Sequence, residues 1–225
     1  AAFSQAIYVG LINLVFTIIA ILLIDRIGRK PLLGFGLTGI TISMLILSFA
    51  FNASTYTLTE KSNHELSLLG LNKSKLDGMK DITYESDVHF KEALVVSIGK
   101  ENMIKYESDV IKAAISGNSM LILYGILGFV ASFAISIGPV MWVLFSELFP
   151  LKIRGVAISF VGFINSAVSA GVQFVFPWEL STLGSSMTFL IYGLFAVAGL
   201  VFIIIKVPET KGKSLEELEK QLVKQ

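Results

Sequence analysis

Asn13, Trp142, Asn165 and Gln173 stand inside long stretches that otherwise hold apolar residues. An amide in such a setting needs a hydrogen-bonding partner, so each faces a neighbouring helix or a cavity. Asn and Gln offer donors and acceptors together, which suits a neutral, hydroxyl-rich ligand. An indole offers a flat apolar face and one donor, so Trp142 can stack on a ring and hydrogen-bond at its edge. The plainer alternatives are interhelical glue for the amides, favoured for Gln173 and level with the cavity for Asn13 and Asn165, and an interfacial belt for the indole. Trp142 lies several residues inside the Glu147 end of its stretch, which favours the cavity.

A second group is charged. Asp25, Arg26 and Arg29 fall in the turn Asp25-Arg26-Ile27-Gly28-Arg29-Lys30-Pro31. A positive anchor would need the Arg and Lys but not the Asp, and arginine forks hold carboxylates on neighbouring helices. Gly28 permits the reversal and Pro31 suits a first helical turn. Glu147 and Arg154 flank Phe149-Pro150-Leu151. With Arg29 they are expected to form an ion-pair cluster, made in one state and broken in another. Gly138-Pro139 interrupts the same stretch as Trp142 and is expected to bend it, since proline leaves a carbonyl without its donor. Such breaks mark binding sites and moving segments in transport proteins.

The elements that must position these residues are membrane helices. The chain has 225 residues, 54% hydrophobic and only 16% charged, with a mean hydropathy of +0.75. Soluble domains carry about 25% charged residues. Five spans are predicted, from about Phe3 to Ile24, Pro31 to Phe51, Ser119 to Phe149, Gly155 to Phe176 (stopping at Pro177) and Ser185 to Ile205. Each is long enough to cross about 30 Å of hydrocarbon. The basic residues Arg26, Arg29 and Lys30, then Lys152 and Arg154, then Lys206, Lys211, Lys213, Lys220 and Lys224, all fall on one side, which is therefore cytoplasmic. The net charge of +1 offers no basic face for nucleic acid, and the absence of cysteine excludes disulfides and thiol chemistry. The chain opens on Ala1 within an apolar run and reads as cut from something longer.

Residues 52–118 form a long extracytoplasmic connection with eight Lys, ten acidic residues, His64 and His89. The histidines have no metal-ligand spacing and read as solvated. Tyr84-Glu85-Ser86-Asp87-Val88 recurs as Tyr106-Glu107-Ser108-Asp109-Val110. A small helical pair and a chance echo in a disordered loop both remain open.

Three motifs now stand in order: V-D-x-x-G-R-K-P, G-P-V-x-W-V-x-x-S-E-x-F-P-x-x-x-R-G, and Val207-Pro208-Glu209-Thr210-Lys211-Gly212-Lys213-Ser214-Leu215-Glu216-Glu217-Leu218-Glu219. Together they resemble the second-half signatures of the major facilitator sugar porters, the family of glucose facilitators and the bacterial D-xylose–proton symporter. The resemblance covers residues 1–51 and 119–225. It implies an all-α membrane fold whose five helices correspond to helices eight to twelve of twelve. The expected division is 1–51, two membrane helices with a charged cytoplasmic turn; 52–118, the inserted loop; 119–207, three membrane helices; and 208–225, a cytoplasmic tail. It also implies monosaccharide contacts at Asn13, Trp142 and Asn165. The cytoplasmic gate it implies comprises Asp25, Arg26, Arg29, Glu147, Arg154 and Glu209. Ser166 stands where many relatives have Trp, and Ala134 where glucose facilitators carry a Glu, as in the bacterial symporters.

The expected function is that of the C-terminal portion of a monosaccharide transporter, with proton-coupled uptake by alternating access, in the cell membrane. A sugar sensor and an exporter of another solute are the alternatives; the short tail disfavours the first and the tail motif the second. The expected partners are a monosaccharide, protons, the bilayer and the missing N-terminal half, in which the symporters' proton-coupling Asp lies. No enzyme activity, cofactor, metal or nucleic acid is expected.

Overall fold

The computed structural model describes residues 2–213 and 217–218. Lys220, Lys224 and Gln225, on which the tail expectation partly rests, lie outside the described residues, as does most of the end of the third motif. Among the described residues, five helical stretches are long and apolar enough to cross a membrane, as expected.

The first is α1 (Ala2–Ile27), followed through the single residue Gly28 by α2 (Arg29–Asn52). Then come β1 (Thr55–Thr57), α3 (Glu60–Leu68), α4 (Lys73–Asp77), β2 (Thr83–Tyr84), α5 (Asp87–Ile98), α6 (Lys100–Ala114) and β3 (Ile115–Ser116). The third stretch is split into α7 (Ser119–Ile135) and α8 (Ile137–Leu148). It is followed by α9 (Arg154–Thr182) and α10 (Gly184–Lys206), joined by Leu183 alone.

Two expectations about these helices need correction. Pro177 does not stop α9, which continues to Thr182. Pro177 removes one N–H and leaves the Gln173 carbonyl without its helical donor, a single loss that a helix in lipid tolerates. Past it the last turn is held by Ser181 and Thr182, which both donate to the Trp178 carbonyl, at 2.9 and 2.8 Å. The break in the third stretch lies at Ser136 rather than at Gly138-Pro139. The cause is still Pro139, which falls in the first turn of α8. There its missing N–H is no loss, because the first N–H groups of a helix have no intrahelical partner.

The chain divides into two compact units. The first comprises residues 1–45, 123–174 and 190–225. Its buried centre is Ile24, Leu32, Leu33, Val140 and Leu144, from α1, α2 and α8, with Ile203 and Val207 against them. Small residues let α2 and α7 meet closely. A Cβ on Gly36 would fall on the Ser136 side chain and one on Gly39 on the Ser132 hydroxyl, while Ser43 stands 2.8 Å from where a Cβ on Gly128 would be. These pairs run antiparallel along both helices, as small-residue packing in membranes requires.

The second unit comprises residues 46–122 and 175–189. The long connection is neither disordered nor purely helical. It forms a three-stranded antiparallel sheet in the order β2-β1-β3, with Tyr56 paired to Tyr84 on one side and Ile115 on the other. Its own core holds Tyr56, Leu58, Leu66, Leu76, Phe90, Leu94 and Val110, with Tyr56 stacked on Phe90 at 5.6 Å. Burial, and then the charge of Asp87, pushes the Tyr56 hydroxyl above the usual tyrosine range. The helical pair exists, as α5 and α6 meeting at Gly99. The sequence echo is nevertheless not a structural repeat. In the first copy Ser86 caps α5, accepting the Val88 N–H at 3.2 Å, whereas the second copy lies in the middle of α6.

Candidate functional site

The charged cluster is built around Arg29, at the first turn of α2. Its Nη2 donates to Glu147 Oε1 at 2.7 Å and its Nε to Glu147 Oε2 at 3.1 Å, a two-bond fork. Asp25 lies 3.1 Å from the same Nη2, one helical turn before. Nη1 donates to the Ile24 carbonyl at 3.2 Å, which also accepts the Gly28 N–H at 3.2 Å. Arg29 is nearly buried while Asp25 is mostly exposed. The fork to Glu147 is therefore the stronger contact, and the Asp25 pair is screened.

Glu209 enters the cluster in another way. It takes no arginine fork. Its carboxylate accepts the backbone N–H groups of Arg29 at 3.0 Å and Lys30 at 3.1 Å, so the segment after α10 caps α2. A carboxylate at a helix N-terminus meets both open donors and the positive end of the helix dipole. Gly28 makes room for it. Its φ is +106°, and a Cβ there would stand 2.7 Å from Glu209 Oε2. Burial pushes the Glu209 carboxyl up, but the N–H groups of Lys211, Arg29, Lys30 and Thr210 together outweigh it and hold it below the usual carboxylate range.

Arg154 is not joined to Glu147. Its Nε donates to the Phe149 carbonyl at 3.1 Å, and one terminal nitrogen is buried with no partner among the described residues. Arg26 contributes its carbonyl, which accepts from Lys211 Nζ at 2.5 Å; its side chain has no partner among the described residues. Thr210, not among the expected residues, donates its hydroxyl to Glu147 Oε2 at 2.6 Å. It neighbours Glu209 in the tail motif, and its burial is what the sequence does not show.

Ser136 is a further residue that the sequence reading passed over. Its N–H turns back to the Phe133 carbonyl at 3.2 Å, and its hydroxyl takes up the Ser132 carbonyl at 2.6 Å. The residue is fully buried against Gly36, so the break is fixed by packing as well as by hydrogen bonds. Serine four residues after serine, opposite glycine, was the available signal.

The mid-span residues are placed as follows. Asn13 on α1 is exposed and accepts only a long bond, 3.4 Å, from the Thr17 hydroxyl. Trp142 on α8 is 49% exposed and meets Phe145 edge-on at 6.1 Å. Its ring tip stands 3.9 Å from where a Cβ on Gly162 of α9 would be. Asn165 lies three residues beyond Gly162 and makes no hydrogen bond with any described residue. Around Gly162, α9 presents a stripe of small and polar residues at helical spacing, Ser159, Ser166, Ser169 and Gln173, with Asn165 at its edge. Phe160, Ile164, Val168 and Val175 line the opposite face. No residue of α9 is buried, and the Gln173 side chain is exposed and makes no hydrogen bond with any described residue. α8 packs on α1 and reaches α9 through Trp142, so Trp142 stands between the helices of the two asparagines.

The sugar (and other) transporter family model matches residues 1–71 and 93–222. The chain belongs to this family. Its match extends further into the connection than the three motifs do, leaving out only residues 72–92 of that connection. The facilitated glucose transporter member 10 of solute carrier family 2 from Danio rerio is 32% identical over 95% of this chain and 39% of its own length. The arabinose-proton symporter of Bacillus subtilis is 30% identical over the whole chain and 35% of its own length. Among solved structures, the inward-open xylose transporter XylE from E. coli superimposes with a TM-score of 0.66 at 30% identity, over 96% of this chain and 35% of that one. The sugar transporter chain described here thus spans well under half the length of these relatives. The membrane helices and the major facilitator fold agree with this assignment.

Proposed function

We propose that the chain supplies the second half of the walls of a monosaccharide pathway, in a transporter that works by alternating access and takes up sugar with protons. One observation carries this reading. Three residues able to hold a hydroxylated ring lie within the spans of neighbouring helices, and the two amides leave most of their hydrogen-bonding capacity unused among the described residues. A neutral sugar leaving water needs donors and acceptors, and amides supply both without a charge in the membrane. Trp142 supplies the flat face between them. The names of the relatives, a glucose facilitator and an arabinose–proton symporter, support the substrate class and the coupling.

The Arg29–Glu147 fork is the state-dependent lock in this reading. The Gly28 and Leu151 turns and the end of the chain face the cytoplasm of a cell, and residues 52–118 lie outside it. The test uses the full-length protein and direct sugar binding. N13A and N165A should each weaken affinity about tenfold or more, from the roughly 1–3 kcal/mol attached to an unpaired buried polar group. W142F should be milder than W142A, because stacking survives. Unchanged binding in both asparagine variants would remove the shared site. Equal harm from Phe and Ala would shift the role of Trp142 from its face to its N–H.

A further inference from the structure

Residues 72–92, which the family match omits, hold two nearly buried charges, Asp87 and Lys91, exposed by 7% and 8%. Both sit on the first turns of α5, and both reach the turn between α9 and α10. Asp87 Oδ2 accepts the Ser185 N–H at 2.9 Å and the Ser185 hydroxyl at 2.6 Å. Lys91 Nζ donates to the Leu180 carbonyl at 3.2 Å, and pairs with Glu107 at 3.2 Å and Asp87 at 3.9 Å. An anion is thus set on the N-terminus of α10 and a cation on the C-terminus of α9, the signs that the two helix dipoles favour. Gly184 is shaped for this contact. Its φ is +81°, and a Cβ on it would stand 2.7 Å from Asp87 Oδ1. The same unit ties in the end of α2, through Ser186 donating to the Ser48 carbonyl at 3.0 Å and Phe51 stacked on Phe189 at 5.5 Å.

We propose that the inserted domain is a clamp on the α9–α10 turn, with Asp87 and Lys91 as its two jaws. Both jaws come from the part of the chain that is additional to the family pattern. The turn and the domain then move as one body, and the turn does not open by itself. The clamp stands independently of which solute is carried, so the readout is opening of the turn rather than transport.

The experiment is amide hydrogen exchange on the full-length protein in lipid nanodiscs, comparing D87A, D87N, G184A and the D87A/G184A pair. D87A should speed exchange at the amides of Ser185 to Thr188 about tenfold, the usual effect of losing an N-cap. D87N should stay within about threefold, because Asn also caps. G184A should act in the same direction as D87A, by displacing the carboxylate and by placing a side chain at φ +81°. The double variant should exchange faster than either single one but by less than the product of the two effects, because only the backbone strain is independent of Asp87. Amides of Phe90, Leu94 and Val110 report on the domain core and should keep their protection. If D87A melts that core, G184A decides, since it leaves the domain's own residues unchanged. Unchanged exchange at the turn in G184A, or effects of D87A and G184A that multiply, would overturn the clamp.

Discussion

Replacing Glu147 with Gln tests the lock at its strongest bond. Glu147 accepts three hydrogen bonds: Arg29 Nη2 on Oε1, and Arg29 Nε and the Thr210 hydroxyl on Oε2. Gln keeps one oxygen. Placed at the Oε2 position it retains Nε and Thr210, and its NH2 then opposes Nη2. That arrangement loses one charge-assisted bond, worth about 1.5–3 kcal/mol in a favourable setting. Asp25 still holds Nη2 at 3.1 Å, but it is mostly exposed and returns only part of the loss. The net effect is about 1–2 kcal/mol, or roughly 5- to 30-fold in the balance between the locked and unlocked states. Spin-label distances across the Arg29 end of the full-length protein, in lipid, would give the two populations directly. E147Q should move them by that factor, while sugar affinity changes much less. D25N alone should be mild. Combined with E147Q it should exceed the sum of the two, because Nη2 then loses both partners. Additive effects, or a loss of sugar affinity equal to the shift in populations, would refute the reasoning.

Other outcomes follow from the same geometry. Glu209 is held below the usual carboxylate range, so the folded state binds fewer protons than the unfolded one. Its cap on α2 should stay intact through that range and be lost only as pH falls below it, seen as faster exchange of the Arg29 and Lys30 amides, and E209Q should remove the pH dependence. G36A places a Cβ on Ser136 and should cost about 1–3 kcal/mol of thermal stability, whereas G34A, which meets nothing within 4 Å, should cost nothing measurable. In this cysteine-free chain, K80C should be labelled by an impermeant reagent from outside the cell and L215C should not; the reverse would invert the proposed orientation.

The helices were legible because lipid imposes one rule: apolar residues over a fixed length with an internally bonded backbone. The Arg29–Glu147 fork was legible as charge types flanking turns. Arg154 was not, because its partner is a carbonyl of its own turn, and no sequence pattern encodes which acceptor an arginine selects. The position of the break was misjudged by two residues. Pro139 signals it correctly, but the residue that adopts the irregular backbone is set by where Ser136 finds Gly36 on another helix. The inserted domain was least legible. Its strands are two or three residues long, and Tyr84 and Tyr106 begin identical pentapeptides that fold differently. Tertiary packing overrides local pattern at that length.

The exposure of α9 bears on how the chain enters a membrane. α9 is the least apolar of the five spans, and its stripe of hydroxyls and amides is left exposed among the described residues, with Trp142 reaching it only at Gly162. A helix of this kind partitions into lipid less readily than its neighbours and gains from a companion. Leu183 alone separates it from α10, which is far more apolar, so the two can enter as a hairpin with α10 carrying the insertion. Lengthening that one-residue turn would leave α9 to insert on its own composition. The defect would then show during biogenesis, as α9 stranded at the interface, before any question of transport arises.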